Sequence, residues 1–513
     1  MIKDQYAIID MGSNSFRLVI NEVDHHGQYN ELHNYKTVAR LSTYILNNGY
    51  LSDEGVAIVS NTLTRFKEII DYHQIPKLIV IATAAMRKAK NKEEIVRSIE
   101  KKLGMTIRIL SEYEEAFYGY LAIVNSTNIS DGFTVDIGGG STEITLFKNR
   151  TLVHYHSFPF GAITLHQKFF QQTKNLADAV QALKNYIREQ WLTLPWLATH
   201  LHYPVIGIGG SARNLSLIHQ RQVNYPLAGI HQYEIPKTEV FHINDMLQLT
   251  SSEERSQIDG LSKDRVEIIV PAVEIISSIV DHVQAEKFIM SRKGLRDGVF
   301  YEELLKTMET NRFPNVIEEN MYQITSKYNI KLDYVSHISY LAMQLYKQLS
   351  PFALVDHDQK EALKLLQLSA RVLYIGETIN SESSSQNTFY LLTNITIEGL
   401  SHQERLAVAF ISSYKSKSQM MKYAEPFIKI ISKSNLKLFE FLGSIMKLAY
   451  SLDRTKRKII TKIGQVTENN DQLVLPLYYK EDPYFENIQA KKNKKQLEKS
   501  IKQSIEFLYK PLK

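Results

Sequence analysis

Cysteine is absent from the 513-residue sequence, which excludes disulfide bridges and thiolate metal sites. No apolar run approaches the roughly 20 residues that a membrane-spanning helix needs. The opening stretch MIKDQYAIIDMGSNS has only a short apolar segment, interrupted by Asp10, so it does not have the form of a signal peptide. Hydrophobic residues make up 44% of the chain and charged residues 23%, as in ordinary globular proteins. We therefore expect a cytoplasmic protein of about three domains.

Several widespread motifs are missing as well. The sequence contains no G-x-x-x-x-G-K-[ST] phosphate loop and no H-E-x-x-H zinc motif. The stretch GIGGSA at 207–212 lacks the spacing and the partner acid of a dinucleotide-binding turn. These absences exclude the commonest ways of binding a nucleotide or a catalytic zinc ion.

Positive charge is concentrated at the end of the chain. The net charge is +6, and residues 491–513 contain eight lysines and two glutamates. Leu497, Ile501, Ile505 and Leu508 follow helical spacing, which predicts an amphipathic basic helix. Such a helix either packs its apolar stripe on the body of the protein or contacts a polyanion.

Strand and helix patterns alternate over the first 300 residues, which indicates an α/β architecture. Residues 316–450 show helical periodicity, and strands are predicted again within 456–463 and 472–479. The predicted domains are 1–125, 126–308, a helical domain at 309–450, and a small α+β segment at 451–513 with the basic tail.

Two stretches of the α/β part repeat one pattern about 126 residues apart. AIIDMGSNSFRLVI begins at Ala7 and FTVDIGGGSTEITL begins at Phe133, so Asp10 falls on Asp136 and Ser15 on Ser141. Each stretch reads as a strand, an aspartate, a glycine turn and a returning strand. The repetition predicts two similar domains. A third glycine turn, GIGGSARNL at 207–215, follows a strand and opens a helix.

Glycine turns of this kind have a specific chemistry. Either they need left-handed backbone angles, or another group comes close to the backbone. Successive N–H groups in such a turn form a concavity that binds anions, and a helix N-terminus adds positive potential. A neighbouring aspartate can hold Mg²⁺ directly or through water. The alternative is that each turn is only a tight hairpin.

The assembled motifs resemble the exopolyphosphatase / guanosine pentaphosphate phosphohydrolase (Ppx/GppA) family over residues 1 to about 305. The segments that carry the resemblance are 8–20, 81–91, 109–120, 135–144, 158–165, 207–215, 262–276 and 291–300. The resemblance implies the actin / sugar kinase / Hsp70 superfold, with two ribonuclease-H-like domains that face each other across a cleft. It also implies Mg²⁺-assisted removal of terminal phosphates from a phosphate chain.

The same resemblance implies roles for individual residues. Glu115 would be the catalytic glutamate, with adjacent Glu114 as its competitor, and Arg87 would contact phosphate unless it is simply a surface arginine. The phosphate-binding positions would be Ser13, Asn14, Gly139, Gly140, Ser141, Thr142, Gly209, Gly210, Ser211 and Arg265, and the metal positions would be Asp10, Asp136 and Glu143. For Arg265, a salt bridge with Glu267 or Asp264 is an equal alternative.

The helical region departs from the family pattern. Long family members resemble an HD phosphohydrolase there, but Leu373 and Tyr374 stand where His and Asp would be. We therefore expect an HD-like domain without a second metal centre, and we do not expect the Asp-His-Asp run at 356–358 to bind a metal. The domain would serve dimerisation or extend a substrate channel.

The leading functional hypothesis is an exopolyphosphatase that uses Mg²⁺ on inorganic polyphosphate, with a monovalent cation such as K⁺ as a further candidate cofactor. Hydrolysis of guanosine pentaphosphate to tetraphosphate is the alternative within the same cleft. A kinase of the same superfold and a non-catalytic polyphosphate or alarmone sensor are the other two hypotheses. We expect a homodimer and no membrane or sequence-specific nucleic-acid partner.

Overall fold

Two mixed β-sheets organise the first 316 residues of the computed structural model, which describes residues 4–171, 175–469 and 472–512. Contacts divide the chain into two units. The first comprises Met1–Tyr225 and Ile230–Val316, and the second comprises Pro226–Gly229 and Ile317–Lys513. The finer division into four domains stays a prediction.

The first sheet has five strands in the order β3-β2-β1-β4-β5, with β1, β2 and β3 antiparallel and β1, β4 and β5 parallel. Its elements are β1 (Asp4–Met11), β2 (Ser15–Val23), β3 (Tyr29–Val38), α1 (Asp53–Tyr72), β4 (Lys77–Ala82), α2 (Ala84–Lys88), α3 (Lys92–Leu103), β5 (Ile107–Ile109) and α4 (Glu112–Val124). The central strand β1 is buried continuously from Tyr6 to Met11, as expected for a strand covered on both faces.

The second sheet repeats this topology with one extra edge strand. Its order is β10-β11-β9-β6-β7-β8, with β6, β7 and β8 antiparallel and β6, β9 and β11 parallel. The elements are β6 (Gly132–Ile137), β7 (Thr142–Lys148), β8 (Thr151–Phe158), α5 (Ala162–Phe169), α6 (Leu176–Leu192), α7 (Pro195–Ala198), β9 (Val205–Ile208), α8 (Gly209–Gln222), β10 (Tyr233–Pro236), α9 (Lys237–Leu249), α10 (Ser252–Arg255), α11 (Ile269–His282), β11 (Lys287–Met290) and α12 (Leu295–Thr307). The predicted duplication is confirmed at the level of strand order.

Helices α4 and α12 pack against each other and against both sheets. Their apolar side chains share one core with Ile8 and Ile81 of the first sheet and Ile206 and Ile289 of the second. The helices approach closely at Gly298, where a Cβ atom would lie 2.0 Å from the Tyr118 carbonyl oxygen. This packing fixes the N-terminal turns of both helices beside the ends of the central strands.

The second unit is mostly helical, as predicted. Its helices are α13 (Val316–Lys327), which begins on the last residue of the first unit, α14 (Leu332–Leu349), α15 (Gln359–Arg371), α16 (Ser384–Asn394), α17 (His402–Ser412), α18 (Lys417–Ala424) and α19 (Lys433–Leu452). A small sheet follows, with β12 (Ile460–Ile463), β13 (Thr467–Asn469), β14 (Gln472–Tyr479), helix α20 (Tyr484–Ile501) and β15 (Ser504–Pro511). The predicted strands at 456–463 and 472–479 are therefore present.

The prediction of one continuous basic helix at the C-terminus is wrong. Helix α20 ends at Ile501, Lys502 adopts a left-handed φ of 56°, and β15 then pairs in parallel with β14. Leu497, Ile501 and Ile505 are buried, whereas Leu508 is 44% exposed. The apolar residues after Ser504 fit a strand as well as a helix, and the open edge of β14 decides for the strand.

The positions predicted to have lost the HD metal ligands hold a half-buried tyrosine. Tyr374 has a left-handed φ of 51°, and its hydroxyl donates to the Tyr414 carbonyl oxygen at 2.8 Å. In the run 356–358, the ring nitrogens of His357 contact the Tyr346 hydroxyl and the Val355 carbonyl oxygen, each at 2.8 Å. The Asp358 side chain caps α15. These side chains are thus engaged in local structure.

In the described parts of the chain, no helix combines the length and the apolarity that crossing a bilayer requires.

Candidate active site

The candidate site lies at the carboxyl ends of the central strands of both sheets. β1 and β6 end just after Asp10 and Asp136, and β9 leads directly into Gly209. The remaining parallel strands lead into helices that carry Arg87 on α2, Glu115 on α4 and Arg296 on α12. Ligands of open α/β sheets bind at this edge, because loops and helix N-termini converge there.

The two repeated glycine turns are closed by the same backbone hydrogen bond, and their tips face each other. The Gly12 N–H donates to the Ser15 carbonyl oxygen at 3.2 Å, and the Gly138 N–H donates to that of Ser141 at 3.0 Å. A Cβ atom on Gly139 would lie 3.7 Å from Ser13 Cβ, so the tips of the turns are in contact range.

The carbonyl groups of both turns are bound by surrounding elements. In the first turn, the Ser13 and Asn14 carbonyl oxygens accept from N–H groups of residues 39, 40 and 42. In the second, those of Gly138 and Gly139 accept from N–H groups at the start of α5, and that of Gly140 accepts from Lys88 Nζ at 2.8 Å. Among the described residues, the peptide N–H groups of Ser13, Asn14, Gly139 and Gly140 donate to no backbone acceptor, so they remain available to an anion.

Close approach explains the middle one of the three consecutive glycines, and left-handed geometry explains none of them. None of Gly138, Gly139 and Gly140 has a positive φ. A Cβ atom on Gly139 would lie 2.9 Å from the Ile163 side chain, and one on Gly161 would lie 2.4 Å from the Gly138 carbonyl oxygen. The turn is thus pressed against the N-terminus of α5.

The third glycine turn meets side chains of the site itself. Gly209 has a φ of 83°, and a Cβ atom there would lie 2.7 Å from Asp136 Oδ1. A Cβ atom on Gly210 would lie 2.1 Å from the Arg265 guanidinium, whose Nη1 donates to Ser211 Oγ at 3.1 Å. The start of α8 therefore packs against one acidic side chain, that of Asp136, and one basic side chain, that of Arg265.

Four carboxylates share this region, and burial raises the pKa of each of them. Burial raises the pKa of Asp136 to about 6, with a further contribution from Asp10. Burial also raises the pKa of Asp10, although Arg296 opposes it. For Glu143, burial followed by the charges of Glu115 and Asp136 raises the pKa well above its usual value. Such a concentration of negative charge calls for a cation or a proton.

Glu114 and Glu115 have different environments, although they are adjacent on α4. Glu114 Oε2 accepts from the Ser111 N–H at 2.7 Å in a capping box, and Arg108 binds its other oxygen. The Glu115 side chain is 14% exposed, and its Oε2 accepts from Arg87 Nη1 at 2.8 Å. Burial raises the pKa of Glu115 to about 7 despite the opposing effect of Arg87. Only Glu115 therefore has the environment of a base.

The other predicted residues fall into two groups. Ser13, Asn14, Gly139, Gly140 and Ser141 lie in the facing turns. Gly209, Gly210 and Ser211 form the third turn, and Arg265 contacts it. The expectation that the Thr142 side chain contacts phosphate is not met. This side chain is fully buried and its hydroxyl donates to the Phe160 carbonyl oxygen at 2.8 Å, so it supports β7 instead of facing a ligand. In the described residues Arg265 contacts Ser211, while Asp264 pairs with Lys36 at 3.7 Å.

Three basic residues of the site were not predicted from the sequence. Lys88 binds the Gly140 carbonyl oxygen, and its pKa is lowered by burial and then by the charge of Arg87. Arg296 Nη1 contacts Asp10 Oδ2 at 2.8 Å, and Arg17 lies opposite Asp10 in the β1–β2 register. Arg296 stands in the stretch 291–300 that carries the family resemblance, which was the available signal for it.

The residues present fit a hard divalent cation. Within the described residues, Asp10 Oδ1 is buried and has no hydrogen-bond partner. Asp10 lies close enough to Asp136, and Asp136 close enough to Glu143, for their charges to interact. In the parts of the chain that the structure describes, no three His, Asp or Glu side chains form a ready-made ligand set. This combination suits Mg²⁺, which usually keeps several water ligands and takes only one or two carboxylates.

A cavity of about 710 Å³ opens beside the turns. Asn14 of the first turn and Ile163 of α5 line it, together with His166 and the charged residues Arg40 and Lys263. Its mixed polar and apolar walls can hold a group larger than a phosphate.

Comparisons with known proteins agree with this geometry. Residues 18–307 match the Ppx/GppA phosphatase family and residues 316–499 match domain III of the Ppx/GppA phosphatases. The guanosine-5'-triphosphate,3'-diphosphate pyrophosphatase of Vibrio atlanticus is 23% identical over 92% of this chain and 91% of its own length. That of Pseudoalteromonas atlantica is 25% identical over 79% of this chain and 78% of its own.

Solved structures show the same fold over about 60% of this chain. A Ppx/GppA family member from Aquifex aeolicus is 25% identical, with a TM-score of 0.53, and covers 60% of this chain and 99% of its own. An exopolyphosphatase from Cytophaga hutchinsonii is 23% identical, with a TM-score of 0.55, over 59% of this chain and 98% of its own. The fold is thus of the actin-like ATPase type, with mixed α/β sheets and a helical C-terminal region. The chain belongs to the Ppx/GppA phosphatase family.

Proposed function

We propose that the protein is an exopolyphosphatase, which hydrolyses the terminal phosphoric anhydride bond of inorganic polyphosphate. The observation that carries the proposal is the position of Glu115, a carboxylate with a raised pKa that Arg87 holds beside two facing turns with available N–H groups. Anion-binding amides and a base are the two parts that phosphoryl transfer to water requires.

The residues of this chain would act as follows. The N–H groups of the turns at 12–15 and 138–141 bind the terminal phosphate, and the remaining N–H groups of Arg87 contact its oxygens. Glu115 accepts a proton from the attacking water, whose oxygen forms a bond to phosphorus while the bridging P–O bond breaks. The shortened chain leaves with the bridging oxygen. Asp10 and Asp136, with Glu143 through water, would hold Mg²⁺, which supplies stabilisation of the phosphate charge when bound.

Hydrolysis of guanosine pentaphosphate to tetraphosphate is the second candidate. The cavity beside Asn14 and Ile163 favours it, because a nucleoside needs such a volume and a linear phosphate chain does not. The relatives named as pentaphosphate pyrophosphatases also align over most of this chain.

One assay tests both candidates. Purified protein with Mg²⁺ is given polyphosphate of graded length and, separately, guanosine pentaphosphate, and orthophosphate release is measured. We expect release from polyphosphate, and the ratio of kcat/KM values assigns the preferred substrate. Absence of release from every substrate would reject both candidates and leave the sensor hypothesis, whereas phosphate transfer from ATP to a sugar or acetate would favour the kinase hypothesis.

Other features are part of the same proposal. We propose ribonuclease-H-like domains around the two sheets, an HD-like helical domain without a metal, a homodimer, and no membrane or sequence-specific nucleic-acid partner. Light scattering measures the oligomeric state. Removal of divalent cations with a chelator, followed by addition of Mg²⁺ with or without K⁺, measures the need for each ion.

A further inference from the structure

Two acidic side chains lie in the interior of the second unit, far along the chain from the candidate active site. Asp453 directly follows α19, and Glu486 lies in the first turn of α20; both are 0% exposed. The loop 453–459 contacts both acids. The Lys458 N–H donates to Asp453 Oδ1 at 2.8 Å, and the Thr455 hydroxyl donates to Glu486 Oε1. One short loop therefore holds the two carboxylates near each other.

Each carboxylate has a second oxygen without a partner. In the described residues, Asp453 Oδ2 and Glu486 Oε2 are buried and make no hydrogen bond. Lys458 Nζ pairs with Asp333, and Lys456 Nζ lies over the Tyr334 ring at 4.6 Å. The charges of Lys458 and Lys480 act on Asp453 without forming an ion pair with it in the described residues. Burial of an unpaired carboxylate is costly, so these two oxygens require a compensating positive charge.

Two phenol hydroxyls in the same region also lack partners. The hydroxyls of Tyr334 on α14 and Tyr509 on β15 are buried and unbonded in the described structure. Burial raises the pKa of both phenols, and the charges of Asp453 and Glu486, respectively, raise it further. Tyr334 thus lies close enough to Asp453, and Tyr509 close enough to Glu486, for their charges to interact. Glu486 in turn acts on Asp453.

We infer that Asp453 and Glu486 bind a hard divalent cation of the Ca²⁺ type inside the second unit. A divalent ion neutralises both carboxylates, whereas a monovalent ion leaves one buried negative charge. Ca²⁺ accepts six to eight oxygen ligands in flexible geometry, which suits two carboxylates, neutral oxygens and a few waters. The phenol hydroxyls can donate hydrogen bonds to the bound carboxylates or waters.

The ion has a structural role that does not depend on the proposed function. It connects the end of α19, the loop 453–459 and the start of α20, and through Tyr509 it reaches the terminal strand β15. Loss of the ion is expected to weaken this C-terminal segment without changing the residues that form the candidate active site.

The test compares metal binding and thermal unfolding of the full chain. Protein treated with a chelator is titrated with Ca²⁺ or Mg²⁺, and bound metal is counted by mass spectrometry of the elements. We expect Ca²⁺ to raise the Tm by about 2–4 °C. Asp453→Asn and Glu486→Gln should remove this rise and about one bound ion per chain, while the exposed matched control Asp482→Asn should keep both. Ions bound in the first unit do not affect the comparison, because none of these substitutions lies in that unit.

A second probe covers the case in which an acid variant does not fold. Tb³⁺ substitutes for Ca²⁺ and emits when a neighbouring tyrosine is excited, so Tyr509→Phe should lower the emission of bound Tb³⁺ while it preserves packing. Equal responses of wild type and Glu486→Gln to Ca²⁺ would overturn the inference and indicate that the acids share a proton. Emission unchanged by Tyr509→Phe would also overturn it.

Discussion

At the scale of single residues, burial and neighbouring charge give two adjacent glutamates opposite properties. Glu114 is bound by Arg108 and Ser111, and despite some burial these contacts lower its pKa to about 2. Glu115 has a pKa near 7. Their adjacent positions on α4 thus make Glu114 a capping residue and Glu115 a candidate base.

Glu115→Gln should therefore lower kcat by about 10²–10⁴-fold, the usual contribution of a general base. Phosphate binding should persist, because the amides of the turns are unchanged. The control Glu114→Gln keeps the capping box, which glutamine can also form, but loses the ion pair with Arg108. It should cost at most about 1 kcal/mol of stability and leave kcat within a few-fold. Steady-state phosphate release and calorimetric binding measure the two effects; full activity of Glu115→Gln would contradict the assignment.

The pH dependence of the reaction follows from the same residue. A base acts in its deprotonated form, so log kcat/KM should rise with pH to a plateau above about 7. A profile measured at constant Mg²⁺ should show one limb with an apparent pKa near this value. A rise that is complete below pH 5 would exclude Glu115 as the titrating group.

The buried Asp136 carboxylate is expected to lower the free energy of unfolding, although the candidate site requires it. Its folded pKa of about 6 lies above the unfolded value, so the folded state binds this proton more tightly and loses stability as pH rises from about 4 to 6. Asp136→Asn should raise the unfolding free energy by about 1–3 kcal/mol at pH 7.5 and less at pH 4.5, with loss of turnover. Thermal unfolding at both pH values provides the measurement. Equal stability of variant and wild type at pH 7.5 would contradict the charge argument.

At the scale of elements, the glycine turns depend on contact as well as on backbone angle. Gly209 and Gly104 both have positive φ, of 83° and 64°, but only Gly209 would place a Cβ atom against Asp136. Gly104 ends α3 in open space. Substitution of each glycine by alanine therefore distinguishes the effect of backbone strain, which both share, from the effect of contact with Asp136, which only Gly209 has.

Gly209→Ala and Gly104→Ala should each cost about 1–2 kcal/mol of stability, the strain of a left-handed alanine. Only Gly209→Ala should lower kcat/KM, because it displaces the Asp136 carboxylate. Thermal unfolding and phosphate-release assays on both variants give the comparison. Equal kcat/KM values for the two variants would show that the contact with Asp136 is unimportant.

Elements with a strong local signal were predictable, and those decided by distant partners were not. The strands around Asp10 and Asp136 are apolar runs that end at glycine, so sequence alone indicated the hairpins. Nothing local distinguishes the strand at 504–511 from a helix, because the edge of β14 decides it. Lys88 and Arg296 were missed for the same reason: their partners lie 52 and 286 residues away.

At the scale of the whole molecule, the residues of the candidate site all lie in the first unit, between Asp10 and Arg296. The solved relatives compared above align over almost their entire length with about 60% of this chain. A fragment of residues 1–316 should therefore fold and retain kcat within about tenfold on short polyphosphate. Circular dichroism checks folding, and a folded but inactive fragment would show that the second unit takes part in catalysis.

The hydrogen bond from Lys88 to the Gly140 carbonyl oxygen joins the half of the first unit built on the first sheet to the half built on the second sheet. It does so at the loop that would hold phosphate. If the halves swing apart, this bond must break, and the peptide after Gly140 is then free to rotate away from its ligand. Separation of the two halves would thus also release the bound phosphate, and product release would need no separate trigger.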